Sequence, residues 1–289
     1  MSATPPLTVL ALAALCPNLF ALMPTSYSAE TLLIEGADAT AFAHAQFSSK
    51  VNSLATGQWQ FSAWLDPQGR VRELFHLLRL ADDRYLLLLR GGSAATMVDA
   101  LRRFVFRSKL TLAALPPRAL ATGPALPMHT VSDGVESLSL GCGTHSLRID
   151  DSDHSDSAWV PLQLRAGWPW LPTQVLNELL PAALSLQRLQ AVAVDKGCYP
   201  GQEIVARLHF RNGHKRHLHS VTLSQAACAG DVLRQGDREV GYVLDAVATD
   251  DRVEALVVLS DDIATQAEDG YLAPFNDKLV IRLEMSWPA

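Results

Sequence analysis

Asp195-Lys196-Gly197-Cys198-Tyr199-Pro200-Gly201-Gln202-Glu203-Ile204-Val205-Ala206-Arg207 is the stretch on which the reading of this chain turns. Two glycines and a proline within five positions predict a tight loop, because glycine tolerates positive φ and proline fixes its own. Beyond the loop, Ile204, Val205 and Leu208 fall on one face of a predicted helix. Cys198 is therefore expected on a bend just ahead of that helix and beside Lys196. Only a thiolate is a good nucleophile or metal ligand, and a neighbouring lysine and unpaired amides at a helix start both favour the anion. The same residues also suit a small, half-buried thiol in a structural turn, with Lys196 and Glu203 as a loop brace.

Downstream, Arg207 to His219 holds four histidines and four Arg or Lys in thirteen positions. The apolar faces on either side of Asn212-Gly213 match poorly across a hairpin, so helix, stop and strand are expected. No zinc spacing occurs among these histidines. The run reads as a solvated basic edge or as a patch that meets phosphate or polyglutamate carboxylates, direct tRNA binding included. After it come short apolar runs, 218–223, 241–247, 253–259 and 278–283, which predict a small antiparallel β barrel or sandwich.

Upstream, Thr31 to Ile34 predicts a strand, followed by a turn and a helix capped by Asp38. Gln58 to Leu65 and Glu73 to Leu80 flank Asp66-Pro67-Gln68-Gly69 and predict a hairpin. Tyr85 to Leu89 predicts a buried strand, and Ala94 to Phe104 a helix. Pro116 to Pro127, rich in Pro, Ala and Gly, predicts a linker or long connection, and Asp150 to Ser157 a solvated acidic loop without the glycine and glutamate of a calcium loop.

The chain has 289 residues, 48 % hydrophobic and 19 % charged, with a formal net charge of -6. That excludes a disordered tail and disfavours a protein that coats nucleic acid along its whole surface. The length predicts two or three domains. Cys16, Cys142, Cys198 and Cys228 form no CxxC pair or regular framework, which suits free thiols in a reducing compartment. Leu7 to Leu15 is apolar, but no Lys or Arg precedes Lys50 and prolines punctuate the stretch, so neither a secretory signal nor a membrane span is expected. The expected location is the cytoplasm.

Lys-Gly-Cys-Tyr-Pro-Gly-Gln-Glu at 196–203 resembles the signature of the YgfZ family, the folate-binding branch of the superfamily that contains the glycine cleavage T-protein. Mitochondrial relatives of that family assist iron-sulfur cluster assembly. Leu33 to Ala39, Gln58 to Gly69, Arg103 to Lys109 and Ala166 to Pro169 resemble further family segments in the expected order. The resemblance runs from about Leu19 to the C-terminus and leaves residues 1–18 as an extension.

What the resemblance implies is an α+β fold of T-protein type, several domains around a central cavity, closed by a C-terminal antiparallel β barrel. The implied boundaries are 19–115, 116–212 with the cysteine loop, and 213–289. It implies tetrahydrofolate as ligand, with Trp159 at the position of a family tryptophan linked to folate and Tyr27 matching a second one. It assigns the central role to Cys198, as a transient thiolate for a cluster, a persulfide or a mixed disulfide, with Lys196 stabilising the anion. Gly197, Tyr199, Gly201, Gln202, Glu203 and Arg207 shape the loop, and no resident metal is implied.

The chain departs from family patterns at Arg165, where an acidic residue usually stands, and across 180–187. Arg72 and Glu73 stand where aminomethyltransferases carry paired aspartates, and Arg90 stands near their asparagine. The expected function is thus support of iron-sulfur cluster assembly or repair in other enzymes, such as those that thiolate tRNA, with an indirect influence on tRNA modification. The alternatives are a folate-dependent one-carbon enzyme of aminomethyltransferase type and a scaffold without chemistry, whose cysteine loop is only an interaction surface.

Overall fold

A computed structural model of the chain describes residues 28–134, 137–151, 155–211, 214–249, 251–276 and 278–287. Tyr27, Cys16 and the expected extension 1–18 lie outside the described residues.

The first strands and helices follow the expected order. Strands β1 (Ser28–Ala29) and β2 (Thr31–Glu35) lead into helix α1 (Ala39–Gln46), and β3 (Gln58–Leu65) and β4 (Val71–Ala81) form the predicted hairpin. The turn between them closes through Asp66, whose N–H donates to the Arg70 carbonyl and whose carboxylate accepts the Arg70 N–H at 2.8 Å. β5 (Arg84–Leu89), α2 (Ala94–Leu101) and β6 (Thr111–Ala114) complete an antiparallel sheet ordered β3-β4-β5-β2-β6. Alternate residues Leu32, Ile34, Phe75, Leu77, Leu87 and Leu89 bury one sheet face in a core shared with Phe42 and Ala43 of α1 and Met97, Val98 and Leu101 of α2. Each fully buried Leu or Phe of this kind stabilises by roughly 1.5–3 kcal/mol.

Residues 116–127 are not a linker. Arg118–Gly123 is β7, an interior strand of a second antiparallel sheet with β8 (Val131–Asp133), β9 (Ser137–Gly141) and β10 (Ser146–Asp150), ordered β1-β7-β10-β9-β8. Its residues pair with β10 from Ser146–Gly123 to Asp150–Ala119, and that ladder, with Leu120 and Ala121 buried, outweighs the weak strand propensity of Ala and Gly. The acidic loop is not simply solvated either: Asp156 accepts from the Thr122 N–H and hydroxyl and from the Ala158 N–H.

The described residues divide into two compact units, one of 28–159 with 173–214 and the other of 160–172 with 215–287. The expected boundary at 115/116 does not separate units, because the two sheets of the first unit are bonded to each other. The Trp59 N–H donates to the His129 carbonyl, the Val131 N–H to Gly57, and the Trp59 indole N–H to Gly141 at 2.9 Å.

In the second unit, β11 (Arg216–Leu223), β12 (Val232–Gln235), β13 (Arg238–Ala248), β14 (Val253–Ser260), β15 (Tyr271–Phe275) and β16 (Leu279–Trp287) form one antiparallel sheet ordered β12-β13-β14-β11-β16-β15. Bulges at Ser220/Val221, Leu233/Arg234, Val243/Asp245 and Leu272/Phe275 curl it into a half-barrel. Its two edges are drawn together by Asn276, whose side chain accepts the Arg234 N–H and donates to the Val232 carbonyl. That seam satisfies edge groups that would otherwise template aggregation. Residues 160–172, which include all but the first residue of helix α3 (Trp159–Arg165), join this unit through Arg165, which grips the buried Glu254 carboxylate with two bonds of 2.7 Å, and through Gly167, whose φ of +66° and bare Cα let the Trp287 ring approach.

Among the described residues, no helix is long and apolar enough to cross a membrane.

Candidate functional site

Helix α4 (Gln202–Arg211) begins four residues after Cys198, and the loop before it is stitched to the first unit at both ends. On one side, Ser48 binds the Ala191 carbonyl, the Ala193 N–H binds the Ser48 carbonyl, and the exposed Lys50 and Asp195 pair at 2.6 Å. On the other, Gly201 lies against the β3–β4 turn with φ at +77°, and a Cβ there would sit 2.5 Å from the Asp66 carbonyl oxygen. Only glycine fits that backbone and that approach. Gly69 of the turn in turn faces Ile204, which fixes the start of α4.

Within the loop, the Tyr199 hydroxyl donates to the Ala193 carbonyl at 3.0 Å and the Gln202 amide to the Lys196 carbonyl at 2.9 Å. Both bonds brace the loop. Glu203 and Arg207 are exposed on α4, and neither bonds to the loop among the described residues.

Lys196 is placed otherwise than the sequence suggested. Its ammonium donates to the carbonyls of His44, Phe47 and Ser49 at 2.6, 2.6 and 2.8 Å, at the C-terminal end of α1. Three donors meet three acceptors, and a cation at a helix C-terminus also faces the negative end of its dipole. Burial pulls the ammonium down to about 8, so it still carries its charge at neutral pH. Lys196 is therefore a tie between loop and helix, and its charge is directed at carbonyls.

Cys198 is exposed. Cys142 provides the contrast: it is buried, its thiol donates to the Leu140 carbonyl at 3.3 Å, and burial pushes it up to about 11. A thiol so placed is inert, whereas an exposed one is open to chemistry. One neighbour of the loop was not anticipated. His44 Nε2 lies 4.0 Å from the position of a Cβ on Gly197, and burial together with the Lys196 charge lowers the His44 pKa. A neutral imidazole beside this loop is able to accept a proton. No local signal announces it, because His44 is 152 positions from Lys196.

Of the two residues expected for folate, Trp159 alone lies among the described residues. Trp159 is 1 % exposed and its indole N–H is held by the Asp156 carbonyl at 3.1 Å, so neither face is open for stacking. Tyr27 lies outside the described residues. Arg165 is committed to Glu254 and cannot accept a hydrogen bond from a pterin edge. At the positions matching the aminomethyltransferase aspartates, Arg72 lies over the Trp64 ring at 4.4 Å, and Glu73 is buried against Gly92 and bonded to Ser93 at the start of α2. Burial pushes the Glu73 carboxyl up to about 8, so it is neutral at pH 7 and occupied in capping. Arg90, near the transferase asparagine, is buried with its guanidinium 5.7 Å from the Phe61 ring.

Within the second unit, the basic run is already partnered at three positions. His217 pairs with Asp261, Arg216 with Glu239, and His219 is buried on Ser286, its pKa pushed down to about 4 by burial. Among the described residues, no three His, Cys, Asp or Glu side chains gather as a metal site.

No family model matches the chain. An uncharacterized protein of Haemophilus influenzae is 28 % identical over 247 residues, 81 % of this chain and 88 % of that protein. The tRNA-modifying protein YgfZ of Escherichia coli (strain SMS-3-5 / SECEC) is 26 % identical over 291 residues, 87 % of this chain and 88 % of its own. That of Klebsiella pneumoniae is 28 % identical over 270 residues, 80 % of this chain and 82 % of its own. Among solved structures, the glycine cleavage system aminomethyltransferase T from Bartonella henselae superposes with a TM-score of 0.69 at 17 % identity, covering 89 % of this chain and 82 % of that one. At that identity the likeness carries the fold and not the reaction. The chain is a homologue of the proteins named tRNA-modifying protein YgfZ and has the fold of the glycine cleavage T-protein.

Proposed function

We propose that this protein serves tRNA modification indirectly, by supporting the assembly or repair of iron-sulfur clusters in other enzymes, with the Cys198 thiol as its working group. One observation carries the reading: Lys196, Tyr199, Gly201 and Gln202 are all spent on holding the loop, while Cys198 alone of its central residues offers reactive chemistry to solvent. A loop tied this firmly pre-organises one thiol for a partner.

The cluster is cargo in this reading. As a thiolate, Cys198 supplies one bond to iron, and the remaining ligands come from the donor or recipient enzyme, since no second ligand set stands near it among the described residues. Aminomethyl transfer lacks its carboxylate here, since Glu73 is buried and bonded to Ser93.

The test is the activity of a tRNA-thiolating iron-sulfur enzyme in cells that lack this protein. Wild-type chain restores it, and Cys198→Ala, folded to the same melting temperature, restores none. Full restoration by Cys198→Ala would remove the thiol from the account and leave the loop as a docking surface without chemistry.

A further inference from the structure

Between α2 and β6 the chain reads Arg102-Arg103-Phe104-Val105-Phe106-Arg107-Ser108-Lys109, and here the structure exposes what a fold normally hides. Phe106 is 80 % exposed and Phe104 39 %. The loop is nonetheless fixed. The Val105 N–H binds the Arg102 carbonyl, the Ser108 N–H binds Val105, and the Lys109 N–H binds the Asp38 carboxylate at 2.6 Å. Asp38 occupies the cap position of α1 but spends its carboxylate on Lys109 in place of a cap bond. Gly36 permits the approach, because a Cβ there would lie 2.3 Å from the Lys109 carbonyl oxygen. Arg107 is held at φ 68°, a conformation that costs a non-glycine residue roughly 1 kcal/mol. Strain and exposed aromatic surface are both retained in a rigid segment, which is the pattern of a surface kept for binding.

Each ring carries a guanidinium. Arg103 Cζ is 4.9 Å from the Phe104 centroid and Arg107 Cζ 5.2 Å from that of Phe106. Arg102 is paired with Asp99 at 2.7 Å, whereas Arg103, Arg107 and Lys109 form no ion pair among the described residues. Three uncommitted cations thus alternate with two solvent-facing aromatic rings inside seven residues.

We propose that this loop binds single-stranded nucleic acid, the phenylalanines stacking on unpaired bases and the three cations meeting the phosphates that flank them. Stacking platforms interleaved with cations are how sequence-tolerant single-strand binding is built. A duplex hides the base faces that the rings need. A lipid surface fits less well, because an arginine guanidinium lies 4.9 or 5.2 Å from each ring centroid and would be drawn into hydrocarbon with the ring. The inference goes beyond the Cys198 reading and does not depend on it, so the test leaves Cys198 in place.

The experiment is fluorescence anisotropy of a labelled single-stranded oligoribonucleotide of about twelve nucleotides, titrated with the full chain across a salt series. Three phosphate contacts predict a log–log salt slope of about −2 for a single strand. Phe106→Ala is expected to weaken binding about ten-fold with that slope unchanged. Arg103→Gln with Arg107→Gln should bring the slope to about −0.7. Absence of binding at low salt, or affinity unmoved by Phe106→Ala, overturns the proposal. So does equal affinity for the duplex, or capture by phosphatidylserine vesicles without capture of the oligonucleotide.

Discussion

Replacing Lys196 by Met separates the two roles a lysine next to a cysteine could have. The substitution keeps an unbranched apolar stem and removes three charged hydrogen bonds, those to His44, Phe47 and Ser49. Ser49 keeps a second donor in the Val51 N–H, so the losses concentrate on the other two carbonyls. A hydrogen bond to a charged group contributes about 1.5–3 kcal/mol. Against this stands the desolvation that already pulls the ammonium to about 8, which the variant no longer suffers. The net expectation is a loss of about 2 kcal/mol, or about 4–8 °C in Tm. Thermal melts measure the loss, and the pH profile of Cys198 alkylation measures the other role. If Lys196 is a tie, the variant melts earlier and the alkylation profile keeps its midpoint. A variant as stable as wild type whose alkylation midpoint moves to higher pH would refute the reasoning and return Lys196 to the thiolate.

Glu73→Gln is expected to stabilise by up to about 3 kcal/mol at pH 7, because burial raises the folded carboxyl to about 8 while the unfolded one ionises near 4.5. The stability that wild type loses as pH rises from about 4.5 to about 8 should vanish in this variant, and a urea melt at pH 5 and pH 8 checks it. His219 works in the opposite direction. Its folded pKa of about 4 lies below the ordinary 6.5, so the unfolded chain binds the proton first and stability falls as pH drops from about 6.5 to about 4. His219→Gln should flatten that acid limb by about 3 kcal/mol. Trp159→Phe should destabilise the folded chain by about 1–3 kcal/mol and leave tetrahydrofolate affinity, measured by calorimetry, unchanged. Loss of that affinity in a folded variant would make Trp159 a stacking residue.

Where sequence carried its own local geometry, the fold was legible. Asp66-Pro67-Gln68-Gly69 between two alternating runs defines the β3–β4 hairpin, and Gly197, Pro200 and Gly201 define the cysteine loop. β7 was illegible because Arg118-Ala119-Leu120-Ala121-Thr122-Gly123 has little strand propensity, and its ladder with β10 is a long-range fact. The same holds at the site. Cys198 and its bracing partners Tyr199 and Gln202 act within a few residues of each other and were readable. The direction of the Lys196 ammonium and the presence of His44 depend on α1, about 150 positions away, and no spacing rule reaches that far. Trp159 is covered by its neighbours, which a motif position does not foretell.

The central claim concerns what Cys198 carries when the protein works. Mass spectrometry of protein taken from cells and alkylated at once reads it directly. Cys198 is expected to be protected from alkylation while a cluster-loaded donor or recipient enzyme is bound, and to react once the iron is chelated. Equal alkylation of Cys198 with and without the bound cluster would contradict the thiolate–iron bond.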